Sequence, residues 1–143
     1  MSLQPSDRRN EGLGRRTILL VEDEPFVREA TCSILQRAGF NVLPAEDAQE
    51  AMEAYEEGGR KVDLVITDMV LPGKNGHELG KEVRKHSPEV AVLVTSGYGE
   101  EACETESPET RTYFLAKPYS RRALVEKIEA ILRDTKTQAA QAG

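Results

Sequence analysis

From residue 17 onward, short apolar runs alternate with longer segments in which apolar residues recur at the period of a helix. The runs are rich in β-branched residues, and three of the five are continuously apolar, as is typical of parallel strands covered by helices on both faces. They are TILLVE (17–22), NVLPA (41–45), DLVIT (63–67), VAVLVT (90–95) and TYFLA (112–116). This repeated order of strand and helix predicts an α/β domain.

Apolar residues lie on one face of most of the intervening segments. In the first predicted helix they recur at i, i+3, i+4, i+7, i+8 and i+11 until Gly39, where we expect the helix to end. The face consists of Val27, Ala30, Thr31, Ile34, Leu35 and Ala38. The faces of the second, third and last helices are Ala48, Ala51, Met52 and Tyr55; Leu79, Gly80 and Val83; and Leu124, Ile128, Ile131 and Leu132.

Two features of the helical segments carry separate predictions. The fourth helix is the weakest, because GEEACETESPET (99–110) is acidic, has few apolar residues and contains Pro108. We expect it to be short or mobile. The two histidines, His77 and His86, fall on the charged third helix, and we predict that both are surface residues.

The order of elements restricts the topology of the sheet. Right-handed crossovers turn a (βα)5 chain into a doubly wound, flavodoxin-like parallel five-stranded sheet, for which 2-1-3-4-5 is a known strand order. We predict one domain over residues 17–134, between a flexible N-terminal arm (1–16) and a flexible tail (135–143). With 143 residues, the chain has room for one such core.

Composition excludes several classes of function. The chain is 38% apolar and 31% charged, with a net charge of -6, which disfavours binding to a phosphate backbone. We therefore expect no nucleic-acid partner. It lacks an apolar run of about 18 residues and a signal peptide, which predicts a cytoplasmic protein without a membrane partner. Cys32 and Cys103 have neither CxxC spacing nor histidine neighbours, so no zinc site or disulfide framework is indicated.

Polar residues occupy the carboxyl ends of the predicted strands, where ligands bind in doubly wound sheets. They are Glu22, Asp23, Asp68, Thr95, Ser96 and Lys117. Converging carboxylates repel one another unless a cation neutralises them, and a site with only oxygen ligands suits Mg2+. The lysine and the threonine add a fixed positive charge and a hydroxyl donor, so we interpret the site as one that holds a phosphoryl group on Asp68.

Each residue also has a plainer interpretation. The sequence EDEP can simply start the first helix, with Pro25 at its first position. Asp68 can be a turn residue before Pro72 and Gly73, and Lys117 a solvated surface lysine. Only their coincidence at one edge of the sheet favours a functional site.

Four motifs resemble the receiver domains of two-component response regulators, in the order and spacing of that family, over residues 16–134. They are ILLVEDE, DLVITDMVLPGKNG, VLVTSGY and FLAKPY. The resemblance implies that Asp68 is the phosphoacceptor, and that Glu22, Asp23, Asp68 and the backbone carbonyl of Val70 bind Mg2+. It assigns phosphoryl binding and switching to Thr95, Ser96, Lys117 and Phe114, although Phe114 can also be a core residue. It further implies a cis peptide bond before Pro118.

One position departs from the usual pattern of the family, and two others tune its chemistry. Glu22 stands where many family members have aspartate, and its longer side chain can hold the metal through water. The positions that tune dephosphorylation in the family correspond here to Val70 and Gly97, which have little to orient an attacking water. We hypothesise slow intrinsic dephosphorylation.

The function implied is that of a switch rather than an enzyme. Asp68 accepts a phosphoryl group from a histidine kinase or a phosphotransfer protein, and the fourth helix and fifth strand form the readout face. The target is a downstream protein or an attached kinase core. The second is suggested by VTSGYGE (94–100), which resembles the C-terminal receivers of hybrid histidine kinases. A homodimer through the fourth helix, fifth strand and fifth helix is conceivable, given the basic residues Arg121, Arg122 and Lys127.

Three other classes of protein remain open from the sequence. A flavodoxin-like flavin or nucleotide binder shares the fold, but neither GxxxxGK[ST] nor GxGxxG follows a strand. A hydrolase with an aspartyl-phosphate intermediate needs a second acid, for which the sequence offers no candidate. The third class is an interaction module on the same fold that is not phosphorylated.

Overall fold

The computed structural model describes residues 15–59, 61–97 and 110–142, with side chains described as far as residue 133. The strands are β1 (Thr17–Val21), β2 (Asn41–Ala45), β3 (Leu64–Asp68), β4 (Ala91–Ser96) and β5 (Thr112–Ala116). The helices are α1 (Pro25–Arg37), α2 (Ala48–Glu57), α3 (Gly76–His86) and α4 (Arg121–Ala142), of which α4 is the fifth helix of the sequence prediction.

All five strands are parallel, in the order β2-β1-β3-β4-β5. This confirms the predicted doubly wound topology. The register brings the carboxyl ends of the central strands level with one another, with Asp68 of β3 paired with Thr95 of β4 and Ser96 of β4 paired with Ala116 of β5. The last residues of β3 and β4 therefore lie side by side at one edge of the sheet.

The sheet is buried on both faces, which explains why its central strands are continuously apolar. One core packs the inner faces of α2 and α3 against the sheet, and the other packs α4 together with part of α1. The predicted faces of α2, α3 and α4 all lie in these cores. Met52 of α2 is partly rather than fully buried.

The predicted face of α1 is wrong in part. Thr31 and Leu35 are buried as expected, but Val27, Ala30 and Ala38 are exposed. Periodicity alone left the edges of the face undetermined, and tertiary contacts decided them. The guanidinium of Arg28 turns back to donate a hydrogen bond to the main-chain oxygen of Glu22 at 2.8 Å, which places this side of the helix against the end of β1.

Local sequence signals explain where the helices begin and end. Pro25 occupies the first turn of α1, and Gly39 follows that helix with a φ of 102°, a conformation that glycine adopts without strain. The side chain of Asp47 caps α2 by accepting a hydrogen bond from the N–H of Glu50 at 2.8 Å. A capping box formed by Asn75 and Glu78 begins α3.

Some predictions fall wholly or partly outside the described residues. The proposed short or mobile fourth helix (99–110) lies almost entirely outside them, as does the N-terminal arm (1–16), and Cys103 lies outside as well. The division into arm, domain and tail remains a prediction, although the backbone of α4 continues past residue 134 to Ala142. In the part of the chain that the structure covers, no helix is long and apolar enough to cross a membrane.

Candidate functional site

Asp68 is the last residue of β3 and is buried, with 6% of its surface exposed. The parallel register places Thr95 beside it on β4, and the threonine Oγ1 donates a hydrogen bond to Asp68 Oδ1 at 2.9 Å. The sheet itself thus aligns a carboxylate with a hydroxyl donor at the edge where the sequence predicted a site.

Two more carboxylates follow β1 at the same edge. Glu22 is buried and Asp23 is exposed. One carboxylate oxygen from each of Glu22, Asp23 and Asp68 lies within 4.8 Å of the other two. The main-chain N–H of Glu24 donates to Glu22 Oε2 at 3.2 Å and so holds the buried carboxylate in place.

Lys117 joins the two buried carboxylates. Its Nζ lies 2.7 Å from Asp68 Oδ1 and 3.1 Å from Glu22 Oε1. Its main-chain N–H donates to the carbonyl oxygen of Ser96 at 2.8 Å, which ties the end of β5 to the end of β4. The peptide bond between Lys117 and Pro118 is cis.

The electrostatics of the site follow from this burial and crowding. The pKa of Glu22 rises to about 7, first because the carboxyl is buried and then because it shares a hydrogen bond with Asp68 and is repelled by its charge. Burial by itself lowers the pKa of Lys117, but the hydrogen bonds and charges of Asp68 and Glu22 outweigh burial and raise it. The lysine is therefore a permanent positive charge beside the carboxylate of Asp68.

Main-chain hydrogen bonds hold the loop between β3 and α3 next to Asp68. The N–H of Met69 donates to the carbonyl oxygen of Thr95 at 2.8 Å, and the N–H of Gly76 donates to that of Met69 at 2.9 Å. A Cβ on Gly76 would lie 2.4 Å from the main-chain oxygen of Asp68, so only glycine fits there. Val70 is 61% exposed on this loop, and its carbonyl as a metal ligand remains a prediction.

The structure brings together the polar residues that were predicted from the strand ends, and Ser96 is buried at the end of β4. Phe114 lies two positions further back on the neighbouring strand β5, where it pairs with Val94, and is half-buried on the face that α2 and α3 cover. The contact between Phe114 and His77 was not predicted from the sequence. His77, predicted to be a surface residue, is half-buried, and its ring centroid lies 5.8 Å from that of Phe114. His86 is exposed, as predicted.

The three carboxylates suit Mg2+, because they offer only oxygen ligands. The residues that would hold the ion are Glu22, Asp23 and Asp68, and they form the only group of three or more potential metal ligands within the described ranges. The chemistry of these donors thus fits a hard divalent cation. It does not fit zinc, which prefers sulfur and nitrogen ligands in closed sites.

A separate surface cavity of about 810 Å³ lies between α2 and the loop after β3. Several carboxylates line it, among them Asp47, Glu53 and Glu56. A phosphate group of a flavin or nucleotide would be repelled there, so this cavity does not support the flavodoxin-like ligand binder.

Comparison with known families gives a match over most of the chain. The model of the family described as "Response regulator receiver domain" matches residues 18–129. The chain is 38% identical to the sensor kinase CckA of Brucella abortus over 120 residues, which is 83% of this chain and 13% of the kinase. It is 34% identical to the phosphate regulon transcriptional regulatory protein PhoB of Escherichia coli, covering 82% of this chain and 52% of PhoB.

Solved structures with a similar fold include the receiver domain of the hybrid histidine kinase CckA. Its TM-score is 0.69 at 32% identity, covering 81% of this chain and 98% of that one. A receiver domain protein from Clostridium thermocellum has a TM-score of 0.76 at 26% identity, with coverage of 86% and 98%. The chain thus matches the full length of isolated receiver domains but only part of its curated relatives.

Proposed function

The chain belongs to the response regulator receiver domains of two-component signalling, and from this premise we propose that Asp68 accepts a phosphoryl group from a phosphohistidine of a partner protein. The observation that carries the proposal is the convergence of Lys117 and Thr95 on Asp68 Oδ1, at 2.7 and 2.9 Å. A fixed ammonium and a hydroxyl donor are the groups that stabilise negative charge on a transferred phosphoryl group.

Transfer to Asp68 requires no general base on this chain. A carboxylate oxygen attacks phosphorus, the bond from phosphorus to the histidine nitrogen breaks, and a proton from solvent restores the neutral imidazole. The protein contributes position and charge, which are most of what phosphoryl transfer needs. Lys117 holds the acceptor oxygen and then shares the charge of the phosphoryl group, which carries up to about two negative charges.

We propose Mg2+ as the cofactor, held by Glu22, Asp23 and Asp68 with the carbonyl of Val70. When bound, the ion neutralises the carboxylates and the incoming phosphoryl oxygens. Glu22 must be deprotonated to bind it. Because burial beside Asp68 raises the pKa of Glu22 to about 7, binding of the cation competes with binding of a proton.

The receiver acts as a switch and not as an enzyme that turns over a substrate. Thr95, Ser96 and Phe114 are the residues we assign to its response, since Thr95 contacts the acceptor and Phe114 lies on the adjoining strand. Drawing Thr95 toward the phosphoryl group leaves room into which Phe114 moves. Such a change shifts the balance between two existing conformations by its different affinity for them.

The partner that supplies the phosphoryl group is a histidine kinase or a phosphotransfer protein. Similarity to CckA supports a receiver attached to a kinase core, and similarity to PhoB supports a separate regulator that acts on a downstream target. A homodimer through the segment between β4 and β5, β5 itself and α4 is a further proposal, with Arg121, Arg122 and Lys127 as its basic contribution.

Intact mass measured after incubation with Mg2+ and a small acyl phosphate tests the acceptor. We expect one added phosphoryl group on the native chain, and none on Asp68→Asn or without metal. Asp23→Asn, which retains the acceptor and Lys117, is a matched variant that should react more slowly and require more Mg2+. A native chain that gains no mass with acyl phosphate or with a phosphorylated histidine kinase would instead support the non-phosphorylated interaction module.

A further inference from the structure

The first turn of α3 is in direct contact with the main chain of the acceptor. A Cβ on Gly76 would lie 2.4 Å from the carbonyl oxygen of Asp68 and 3.1 Å from Cγ2 of Thr67, so the helix start rests against β3 without spare room. The N–H of Gly76 also donates to the carbonyl oxygen of Met69, the residue that follows the acceptor. A displacement of the main chain at Asp68 must therefore displace the start of α3.

Two reciprocal hydrogen bonds hold this first turn together as one unit. The side-chain oxygen of Asn75 accepts from the N–H of Glu78 at 2.8 Å, and the side chain of Glu78 accepts from the N–H of Asn75 at 3.0 Å. His77 lies inside this box. Its position is consequently tied to that of the acceptor loop.

His77 carries the connection across to β5. Its ring centroid is 5.8 Å from that of Phe114 and the two planes are inclined by 54°, a tilted arrangement typical of attractive aromatic pairs. Both residues are half-buried. Phe114 also packs against the core beneath α3, so the imidazole forms part of the site in which the phenyl ring rests.

We propose that His77 is a positioning residue that couples the acceptor loop to Phe114 through the first turn of α3, in parallel with the contact from Asp68 to Thr95. The inference rests on the proposed function, because it concerns how phosphorylation of Asp68 reaches β5. It adds a second physical connection that does not pass through Thr95. The proposed role of His77 is exerted through its ring contact with Phe114.

The composition of the chain allows a direct measurement. The protein has three phenylalanines, so labelling only their rings gives three sets of NMR signals. The Phe114 set is assigned by its loss in Phe114→Leu. The signals are recorded before and after complete phosphorylation with acyl phosphate and Mg2+, and intact mass is measured on the same samples.

Three variants separate coupling from general damage. His77→Ala removes the ring, His77→Tyr keeps an aromatic ring at the same place, and His86→Ala removes the exposed histidine at the other end of the same helix. All three retain Asp68, Thr95 and Lys117. Each should gain the mass of one phosphoryl group, to the same extent as the native chain.

We expect the phosphorylation-induced shift of the Phe114 signals to fall about twofold or more in His77→Ala, the size of effect that even weak coupling between contacting residues gives. It should be restored largely in His77→Tyr and unchanged in His86→Ala. An unaltered shift in a fully phosphorylated His77→Ala overturns the coupling and leaves the phosphoacceptor proposal intact. A native chain that gains no phosphoryl group overturns both.

Discussion

The charge of Glu22 depends on the fold, because burial and Asp68 alter its pKa. In the folded chain its pKa is raised to about 7 by burial and by Asp68, against about 4.5 for an ordinary glutamate. The folded state therefore keeps a proton that the unfolded state has already released. The stability that this proton confers is complete below pH 4.5 and is lost as the pH rises to about 7.

Glu22→Gln tests the direction of this pH dependence of stability, because the glutamine side chain is uncharged at every pH. In a metal chelator, we expect the variant to exceed the native chain in free energy of unfolding by of the order of 2 kcal/mol at about pH 8 and by much less at about pH 5. Urea unfolding at the two pH values provides the measurement. A difference that is the same at both would show that the proton on Glu22 is not linked to folding.

We also expect the residue at position 70, here Val70, to affect the lifetime of the phosphorylated state. Its side chain is 61% exposed beside the acceptor and has no polar atom to orient an attacking water. We expect intrinsic dephosphorylation to be slow, and Val70→Gln to accelerate it by up to about tenfold, below the range of a complete general base. Loss of the phosphoryl group is followed by intact mass after removal of acyl phosphate. A native lifetime of seconds would contradict the prediction.

At the scale of elements, the end of β3 and the start of α3 are packed so closely that Gly76 has no room for a side chain. Gly76→Ala places a Cβ 2.4 Å from the main-chain oxygen of Asp68. We expect a loss of about 1–3 kcal/mol in the free energy of unfolding and phosphorylation slower by about tenfold or more, because the acceptor is displaced.

Gly59→Ala is the control for that substitution. Gly59 has a φ of 76° at the end of α2, so alanine is strained there, but its Cβ would contact nothing within 4 Å. We expect a loss of about 1 kcal/mol and an unchanged rate of phosphorylation. If the two variants react equally fast with acyl phosphate, the contact between Gly76 and the main chain of Asp68 does not position the acceptor.

The elements also differ in how far sequence could predict them. All five strands lie within one residue of the predicted bounds, because their β-branched apolar runs end abruptly at polar residues. The helix faces of α2, α3 and α4 were equally predictable. The face of α1 was not, since Ala30 and Ala38 fit the helical period but are exposed, and packing against the neighbouring strands selects which side is buried.

At the scale of the whole molecule, two exposed apolar side chains belong to the segments that carry the site carboxylates. Phe26 is 82% exposed in the first turn of α1, three residues after Asp23, and Val70 is exposed two residues after Asp68. Isolated exposed apolar residues are common on protein surfaces, but these two lie within three residues of Asp23 and Asp68 along the chain, the carboxylates at which we propose that a phosphorylated partner docks. They are therefore candidates for contact with that partner.

Phe26→Ser should reduce the rate of transfer from the phosphorylated histidine domain of a kinase by about tenfold, the effect of losing one buried aromatic contact. Phosphorylation by acyl phosphate should stay unchanged, since the hydrogen bond and the ion pair of Asp68 are made by Thr95 and Lys117 and not by Phe26. The ratio of the two rates in native and variant protein is the measurement. Equal slowing with both donors would mean that the variant disturbs the site itself.

The sequence alone determined the order of strands and helices, the strand ends as the place of the site, and the residue types gathered there. These properties follow from periodicity along the chain and from the chirality of crossover connections, both of which are local rules. Only the tertiary structure decided that Lys117 reaches both Asp68 and Glu22, that the pKa of Glu22 rises, and that His77 packs against Phe114. Each of these depends on distances and burial between residues far apart in sequence, which no periodicity encodes.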